Sequence, residues 1–487
     1  MKKLALVAGL GFLALLAVLV VRALLSTAPT LGGTPVEIPL DEEAMARRLG
    51  EAIRIRTVSP GPPAVRDPAP FEEFLAWVEG AYPLVHASLK REVVGGLSLL
   101  YTWPGSDPSA SPILLTAHHD VVPVNPGSEE DWSHAPFGGE IDGGYVWGRG
   151  ALDDKSGVIT LLEAVTLLLE EGFAPKRTVY LAFGHDEEIG GVEGAGAITK
   201  RLRDRGVKLA WSLDEGSFVL DGMYPGVDVP VASINVAEKG YLTLDLVARG
   251  QGGHSSIPPP ETAVGTLARA ILRVQESPLP GGIDGVTAAS VDALAPHMPF
   301  YARVLFANRW LFGPLIEQIL GTAGPANAVL RTTTAPTMLE GSVKENVLPT
   351  EAVGTVNFRL HPRDDLEGVV MHVEEAIDDD RVEVRVRRAG NPASEVSRTG
   401  AAGFRAIADA VGDVYGPVAV IPGLTVGGTD SRHYGQIAED AYRFTPMRVT
   451  PEDVAGFHGT NERISIENLA QGTRVYVQLL RRANAME

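Results

Sequence analysis

The chain has 487 residues, 45% hydrophobic and 21% charged, which is too apolar for a disordered polymer and enough for sizeable cores. Lys+Arg 42 against Asp+Glu 61 gives a net charge of −19, and the arginine groups at 201–205 and 387–388 are the longest basic clusters, so nucleic acid is not expected as a partner. With Cys 0, no disulfide, thiol nucleophile or cysteine-based zinc site can form.

Lys2 and Lys3 precede an unbroken apolar run from Leu4 to Val21. As a helix it would span about 27 Å, close to the hydrocarbon thickness of a bilayer. A cleaved signal usually has a shorter apolar stretch and a small-residue cleavage site, and no clear A-x-A follows here. Residues 1–25 are therefore expected to be an uncleaved transmembrane helix, with a signal segment removed on secretion as the alternative. The two lysines favour the cytoplasm, which places everything after Arg22 on the extracytoplasmic side. Residues 26–40, rich in Pro, Gly and Thr, read as a linker.

From Asp41 a helical pattern runs through Met45, Leu49 and Ile53, and residues 71–82 carry a second. Residues 97–103 and 113–117 are short apolar runs bounded by turn formers, as buried strands are. A long apolar-faced helix follows at 156–171, then a strand at 178–183, a helix at 193–205 and a strand at 210–213. Strands alternating with helices imply an α/β unit with a mostly parallel sheet covered on both faces. Near residue 238 the pattern changes. Residues 241–248 (YLTLDLVA) alternate with period two, a helix spans 263–275, and alternating strands return at 355–360 and 382–386. The first style resumes at 404–411, 418–421 and 465–480. The expected organisation is a catalytic domain in two parts, 41–239 and 393–487, with an inserted α+β lid or dimerisation domain at 240–392.

Acidic residues and histidine recur directly after apolar strands, where α/β folds place their ligand sites. In Ile113-Leu-Leu-Thr-Ala-His118-His119-Asp120, side-chain alternation puts His118 and Asp120 on one face and turns His119 away. A histidine beside a carboxylate suits a metal ligand with its orienting partner, although any strand end can hold one satisfied histidine. Gly148-Arg-Gly-Ala-Leu-Asp153-Asp154-Lys155 opens the long helix, so its acids could be caps or a metal bridge. His185-Asp186-Glu187-Glu188 follows a buried strand. Three successive acids there repel one another unless solvated or neutralised by a cation. Trp211-Ser-Leu-Asp214-Glu215-Gly216 repeats the theme. One histidine with several Asp and Glu fits a pair of divalent cations such as zinc.

The order H-x-D, G-R-G-x-x-D-D-K, D-E-E, D-E-G resembles the dinuclear zinc metallopeptidase family of aminoacylase, carboxypeptidase S and glutamate carboxypeptidase, over about 41–487. The segments GHDEE, SLDEGS, GHSS, NRWLFGPLI, LRTTTA and VNFRLHP are similar to the branch that condenses and hydrolyses N-fatty-acyl amino acids. The resemblance implies two Zn2+ per subunit, with Co2+ or Mn2+ as substitutes. His118 would bind one metal with Asp120 fixing its ring, Asp153 would bridge both, Glu188 would bind a metal, and Glu187 would be the general base. Of the D-E-G acids, Asp214 is preferred as ligand and Glu215 kept as the alternative. His458, in Gly456-Phe-His458-Gly459, would be the last ligand. In the inserted domain, His254 of Gly253-His254-Ser-Ser would donate to the oxyanion, in several relatives at the neighbouring subunit's site, so a homodimer is implied. Asn346, Arg359 and the Thr429-Asp430-Ser-Arg432 loop would contact substrate, Arg359 through its bidentate fork on a free carboxylate.

The implied reaction is hydrolysis, or the reverse condensation, of the amide in an N-acyl amino acid, with Glu187 passing a proton from water to the leaving amine. The alternatives are a metallo-carboxypeptidase or dipeptidase acting on short peptides, and a non-catalytic membrane-anchored binding protein. The last would lack a base or ligand, and none is missing. Residues 299–320 are unusually aromatic for this chain and read either as core or dimer interface of the lid, or as a wall for a long acyl chain.

Overall fold

The structure is a computed structural model that describes residues 2–27, 31–61 and 64–485; Met1, residues 28–30 of the expected linker, 62–63 and 486–487 lie outside the described residues. An eight-stranded sheet has the order Lys90–Val94, Ser98–Trp103, Val179–Gly184, Ile113–His118, Trp211–Leu220, Ala441–Val449, Val231–Glu238, Ala419–Thr425. Its centre is parallel: Ile113–His118 runs with both neighbours, and Trp211–Leu220 runs with Ala441–Val449. The 90–94/98–103, 98–103/179–184 and 441–449/231–238 pairs are antiparallel. Ala419–Thr425 is parallel to Val231–Glu238, so four of the seven neighbouring pairs are parallel, and the sheet is mixed with the expected parallel majority. Hairpins and a returning strand add antiparallel partners that helix–strand alternation does not reveal.

Both faces are covered, and the strand period shows it. Ile113, Leu115, Leu181 and Phe183 face a large core beneath Glu42–Arg54, Lys155–Glu170, Ala402–Tyr415 and Ile466–Ala485. Leu114 and Ala182, one residue out of phase, face Ile198 and Leu202 of Ala195–Asp204. Every residue of Ile113–His118 is buried, and each fully buried Leu contributes about 2 kcal/mol.

Between Val231–Glu238 and Ala402–Tyr415 in the chain lies a four-stranded antiparallel sheet, order Thr333–Glu340, Glu351–Leu360, Gly240–Arg249, Val382–Asn391. Ala263–Glu276 and Leu366–Ile377 share its separate core, in which Leu244, Leu267, Phe358 and Val373 are buried. The helix Lys2–Leu25 stands largely exposed and is long and apolar enough to cross a membrane by length and composition. The aromatic stretch is not core: Phe300–Phe306 has no buried residue, and Ile316 alone is buried in Arg309–Leu320.

Candidate metal centre

Asp153 stands at the centre of the cluster. Its Oδ1 lies 3.0 Å from His118 Nε2 and its Oδ2 lies 3.0 Å from His458 Nε2. Residues more than 300 positions apart thus meet on the two oxygens of one carboxylate. Glu215 Oε1 lies 3.5 Å from His118 Nε2, and Glu188 Oε2 lies 3.4 Å from His458 Nε2. Each imidazole therefore shares Asp153 and has one glutamate of its own. Ligand atoms of His118, Asp153 and Glu188, and of His118, Asp154 and Glu215, also fall within 4.8 Å of one another.

The local folding explains how these groups are held. His118 ends its strand; its Nδ1 lies 3.0 Å from the Asp120 carbonyl oxygen and 3.4 Å from Asp120 Oδ1, which leaves Nε2 turned to Asp153. The Asp120 carboxylate also accepts from the backbone N–H groups of Glu187 (3.2 Å) and Glu188 (3.3 Å), so it positions the acid pair as well as the imidazole. Asp154 caps Lys155–Glu170, accepting from Gly157 N at 3.2 Å. Its carboxylate serves the helix N-terminus, and Asp153 is left facing the histidines. His119 points the other way, stacked on Phe74 at 4.7 Å with Nε2 donating to the Leu97 carbonyl at 3.1 Å. Burial pushes its pKa down to about 3.

Asp214 and Glu215 lie within one strand rather than after it, because Trp211–Leu220 continues through a register shift at 214–217. Asp214 Oδ1 accepts from the Thr116 hydroxyl, while Glu215 reaches His118.

Buried acid here exceeds what the imidazoles can offset. Burial, and then Glu215, raises the Glu187 carboxyl well above its ordinary value. Burial, and then Asp153, pushes Glu215 up to about 7. Asp153 goes the other way: burial opposes its charge, but hydrogen bonds with His118 and His458 hold its pKa low. Hydrogen bonds to Asp153 and Glu188 raise His458 to about 10. Glu188 Oε1 and Asp214 Oδ2 are buried with no hydrogen-bond partner. A cluster this acidic and under-satisfied fits divalent cations held by one carboxylate between two histidines.

Two further residues, Glu462 and Arg149, were not among the expected site residues. Glu462 is fully buried. Its Oε1 accepts from the N–H groups of Gly150 (3.0 Å), Leu152 (2.8 Å) and Asp153 (3.2 Å), and its Oε2 from Arg149 Nη1 (2.5 Å). Arg149 Nη2 donates to the Gly459 carbonyl at 3.0 Å. These bonds fasten the loop of His458 to the loop of Asp153. His458 is itself 55% exposed in its side chain and adopts φ +55°, so its place depends on that fastening. An acid four residues beyond a loop histidine was the signal available in the sequence.

The remaining expected site residues make no hydrogen bond or ion pair with this cluster among the described residues. His254 is exposed on the two-residue strand Gly253–His254, with Nδ1 accepting from Ser256 N at 3.1 Å. Asn346 lies beside it, its carbonyl accepting from Ser255 N at 3.1 Å. Arg359 sits 4.9 Å over the Tyr241 ring in the four-stranded sheet. Thr429 Oγ1 donates to Glu238 Oε2 at 2.9 Å, and Arg432 Nη2 donates to the Gly190 carbonyl at 2.6 Å. Asp430 is buried, which raises its carboxyl, and Asp214 raises it further.

Residues 114–482 match the model of peptidase family M20/M25/M40. The chain belongs to that family. It is 40% identical over 447 residues to the N-fatty-acyl-amino acid synthase/hydrolase PM20D1 of Xenopus tropicalis, covering 91% of this chain and 86% of the relative. It is 29% identical over 479 residues to carboxypeptidase S of Saccharomyces cerevisiae, covering 88% and 82%. Among solved structures, an M20 family metallo-carboxypeptidase from Sulfolobus solfataricus has a TM-score of 0.66 at 18% identity, covering 92% of this chain and 100% of that one. Human carnosine dipeptidase 1 has a TM-score of 0.65 at 17% identity, covering 91% and 97%. As a member of the M20 peptidases the chain is a metal-dependent hydrolase.

Proposed function

We propose that this hydrolase cleaves, and in the reverse direction forms, the amide bond of N-acyl amino acids with long acyl chains, using two divalent cations, zinc first. The observation that carries the proposal is the Asp153 carboxylate between His118 and His458, taken with the 40% identity to an N-fatty-acyl-amino acid synthase/hydrolase. His118 and Glu215 would hold one cation, His458 and Glu188 the other, and Asp153 both. Bound there, the cations polarise the amide carbonyl and acidify water. Glu187 takes a proton from the attacking water and returns it to the leaving nitrogen as C–O forms and C–N breaks. Asp120 keeps that carboxylate in place through the Glu187 backbone N–H.

Of the adjacent acids, Glu215 is taken as the ligand because its Oε1 reaches His118, while Asp214, held through Oδ1 by Thr116, adds negative charge beside it. His254 and Asn346, adjacent on one exposed loop, supply the oxyanion donor and a substrate contact, and Arg359 receives the free carboxylate. The bonds that Thr429 and Arg432 make to Glu238 and Gly190 suit them to holding the Asp430 loop. The exposure of His254 supports a homodimer through the 240–392 unit, in which it would reach a second copy's site. Residues 2–25 would anchor the enzyme with its catalytic part on the extracytoplasmic side.

The test compares hydrolysis of N-oleoyl-phenylalanine, N-acetyl-phenylalanine and a dipeptide by the zinc-loaded full chain. Preference for the oleoyl substrate is expected, and preference for the dipeptide would make it a carboxypeptidase. Glu187→Gln should keep its metal and lose about 10²–10⁴-fold in turnover. Undiminished turnover would remove Glu187 from the role of base.

A further inference from the structure

The reading of Lys2–Leu25 as a membrane-spanning anchor has a geometric consequence on which this inference rests. The helix touches the rest of the protein near its C-terminal end, where Leu19 and Ala23 are its buried residues among those described. Asn308, fully buried, donates through Nδ2 to the Leu19 carbonyl at 3.0 Å, and Arg22 Nε donates to the Ala307 carbonyl at 3.4 Å. Leu19 lies two residues from the end of the apolar run 4–21, about 3 Å along the helix axis. If residues 4–21 fill the hydrocarbon layer, the 307–308 turn sits at its outer edge.

The two helices flanking that turn then lie at the membrane surface, and their outward side chains are those an interface selects. Tyr301 is 75% exposed and Trp310 57%, and both residue types concentrate at membrane–water boundaries. Leu311, Leu315 and Ile319 are exposed at spacing i, i+4, i+8, which is one stripe of Arg309–Leu320, and Phe300 is exposed on the neighbouring helix. Left in water, such a stripe is an unexplained apolar patch on the protein.

We infer that the helices Phe300–Phe306 and Arg309–Leu320 dock onto the surface of the bilayer that the N-terminal helix spans. The second lies in the interfacial plane with its 311/315/319 stripe among the outer acyl carbons. The protein then meets the membrane twice, once by crossing it and once by resting on it, which fixes the tilt of the catalytic part.

The absence of cysteine makes the test clean. Leu311→Cys, Leu315→Cys and Val343→Cys, the last 98% exposed as a water reference, are labelled with an environment-sensitive fluorophore in the full chain. Each is reconstituted into phosphatidylcholine/phosphatidylserine vesicles. The 311 and 315 probes should lose quenching by aqueous iodide and gain quenching by nitroxides at shallow acyl positions, while the 343 probe does neither. Probes at 311 and 315 that stay as iodide-accessible as 343 in co-floating protein overturn the docking and leave the anchor standing. Protein that fails to float with vesicles overturns both. Shielding that needs no lipid and grows with protein concentration assigns the stripe to a second copy and overturns the docking.

Discussion

Replacing Glu462 by glutamine removes one charge and almost no volume from the junction between the loops of Asp153 and His458. In the native protein Oε1 takes three backbone N–H groups and Oε2 takes Arg149 Nη1. Burial pushes the Glu462 carboxyl up against the pull of Arg149, so the ion pair by itself adds little. Its loss is costly because of what stays behind: Arg149 is 2% exposed and would face an amide N–H2 where a carboxylate had been. Breaking a buried pair costs about 3–5 kcal/mol, and glutamine retains the Oε1 acceptor, so about 3 kcal/mol is expected. The second consequence is at the metal. His458, half exposed and at positive φ, loses its fastening, and support residues of this kind typically change metal affinity about 10–100-fold. Thermal melts with and without chelator, and metal content after dialysis, read the two effects separately. Adding Arg149→Met to Glu462→Gln should recover most of the melting temperature, since the orphaned charge goes with it. A single variant that melts and holds metal like the wild type would refute the reasoning, and so would a double variant no more stable than the single.

The two adjacent acids at 214–215 should separate by metal content: Glu215→Gln loses about one equivalent of zinc per chain, whereas Asp214→Asn keeps its zinc. The reverse result would return Asp214 to the ligand set. A pH effect is expected at His361, whose buried Nδ1 accepts from Arg363 Nε at 3.0 Å. Burial, and then the Arg363 charge, lowers its pKa from 6.5 to about 4. The folded state thus prefers the neutral ring. The stabilisation is whole above pH 6.5 and is lost as pH falls from 6.5 toward 4, to a limit of about 3 kcal/mol. His361→Gln cannot charge, so the drop in melting temperature from pH 7 to pH 4.5 should be smaller in the variant than in the wild type. Equal drops would show that His361 does not titrate with unfolding.

What could be read in the sequence, and what could not, follows from how far apart the determinants lie. Residues 113–117 and 178–183 announce buried strands because they are mainly apolar, broken only by Thr116, Thr178 and Tyr180, and the acids after them stand out for the same reason. The change to period-two alternation at 241–248 marks a second kind of sheet, and Gly240–Arg249 does lie in one with its own core. Thr243 and Val247 on its other face are buried too, so the strand is not half-solvated in the way alternation suggested. Ala441–Val449 gave no such signal: AYRFTPMRV carries Pro446 and Arg443, and Arg443 is tolerated in a central strand because its Nε donates to the equally buried Glu238 at 3.1 Å. That partner is 205 residues away and nothing local names it. Asp214 and Glu215 were ambiguous for a related reason. Adjacent residues on a regular strand point to opposite faces, but a register shift at 214–217 decides which face each acid meets, and the shift arises from pairing with Ala441–Val449, the strand that the sequence concealed. The uncertainty over one metal ligand and the missing strand are therefore a single gap. A chemical motif names the residue types a site needs, and the hydrogen-bonded neighbour sets which of two adjacent carboxylates faces the histidine.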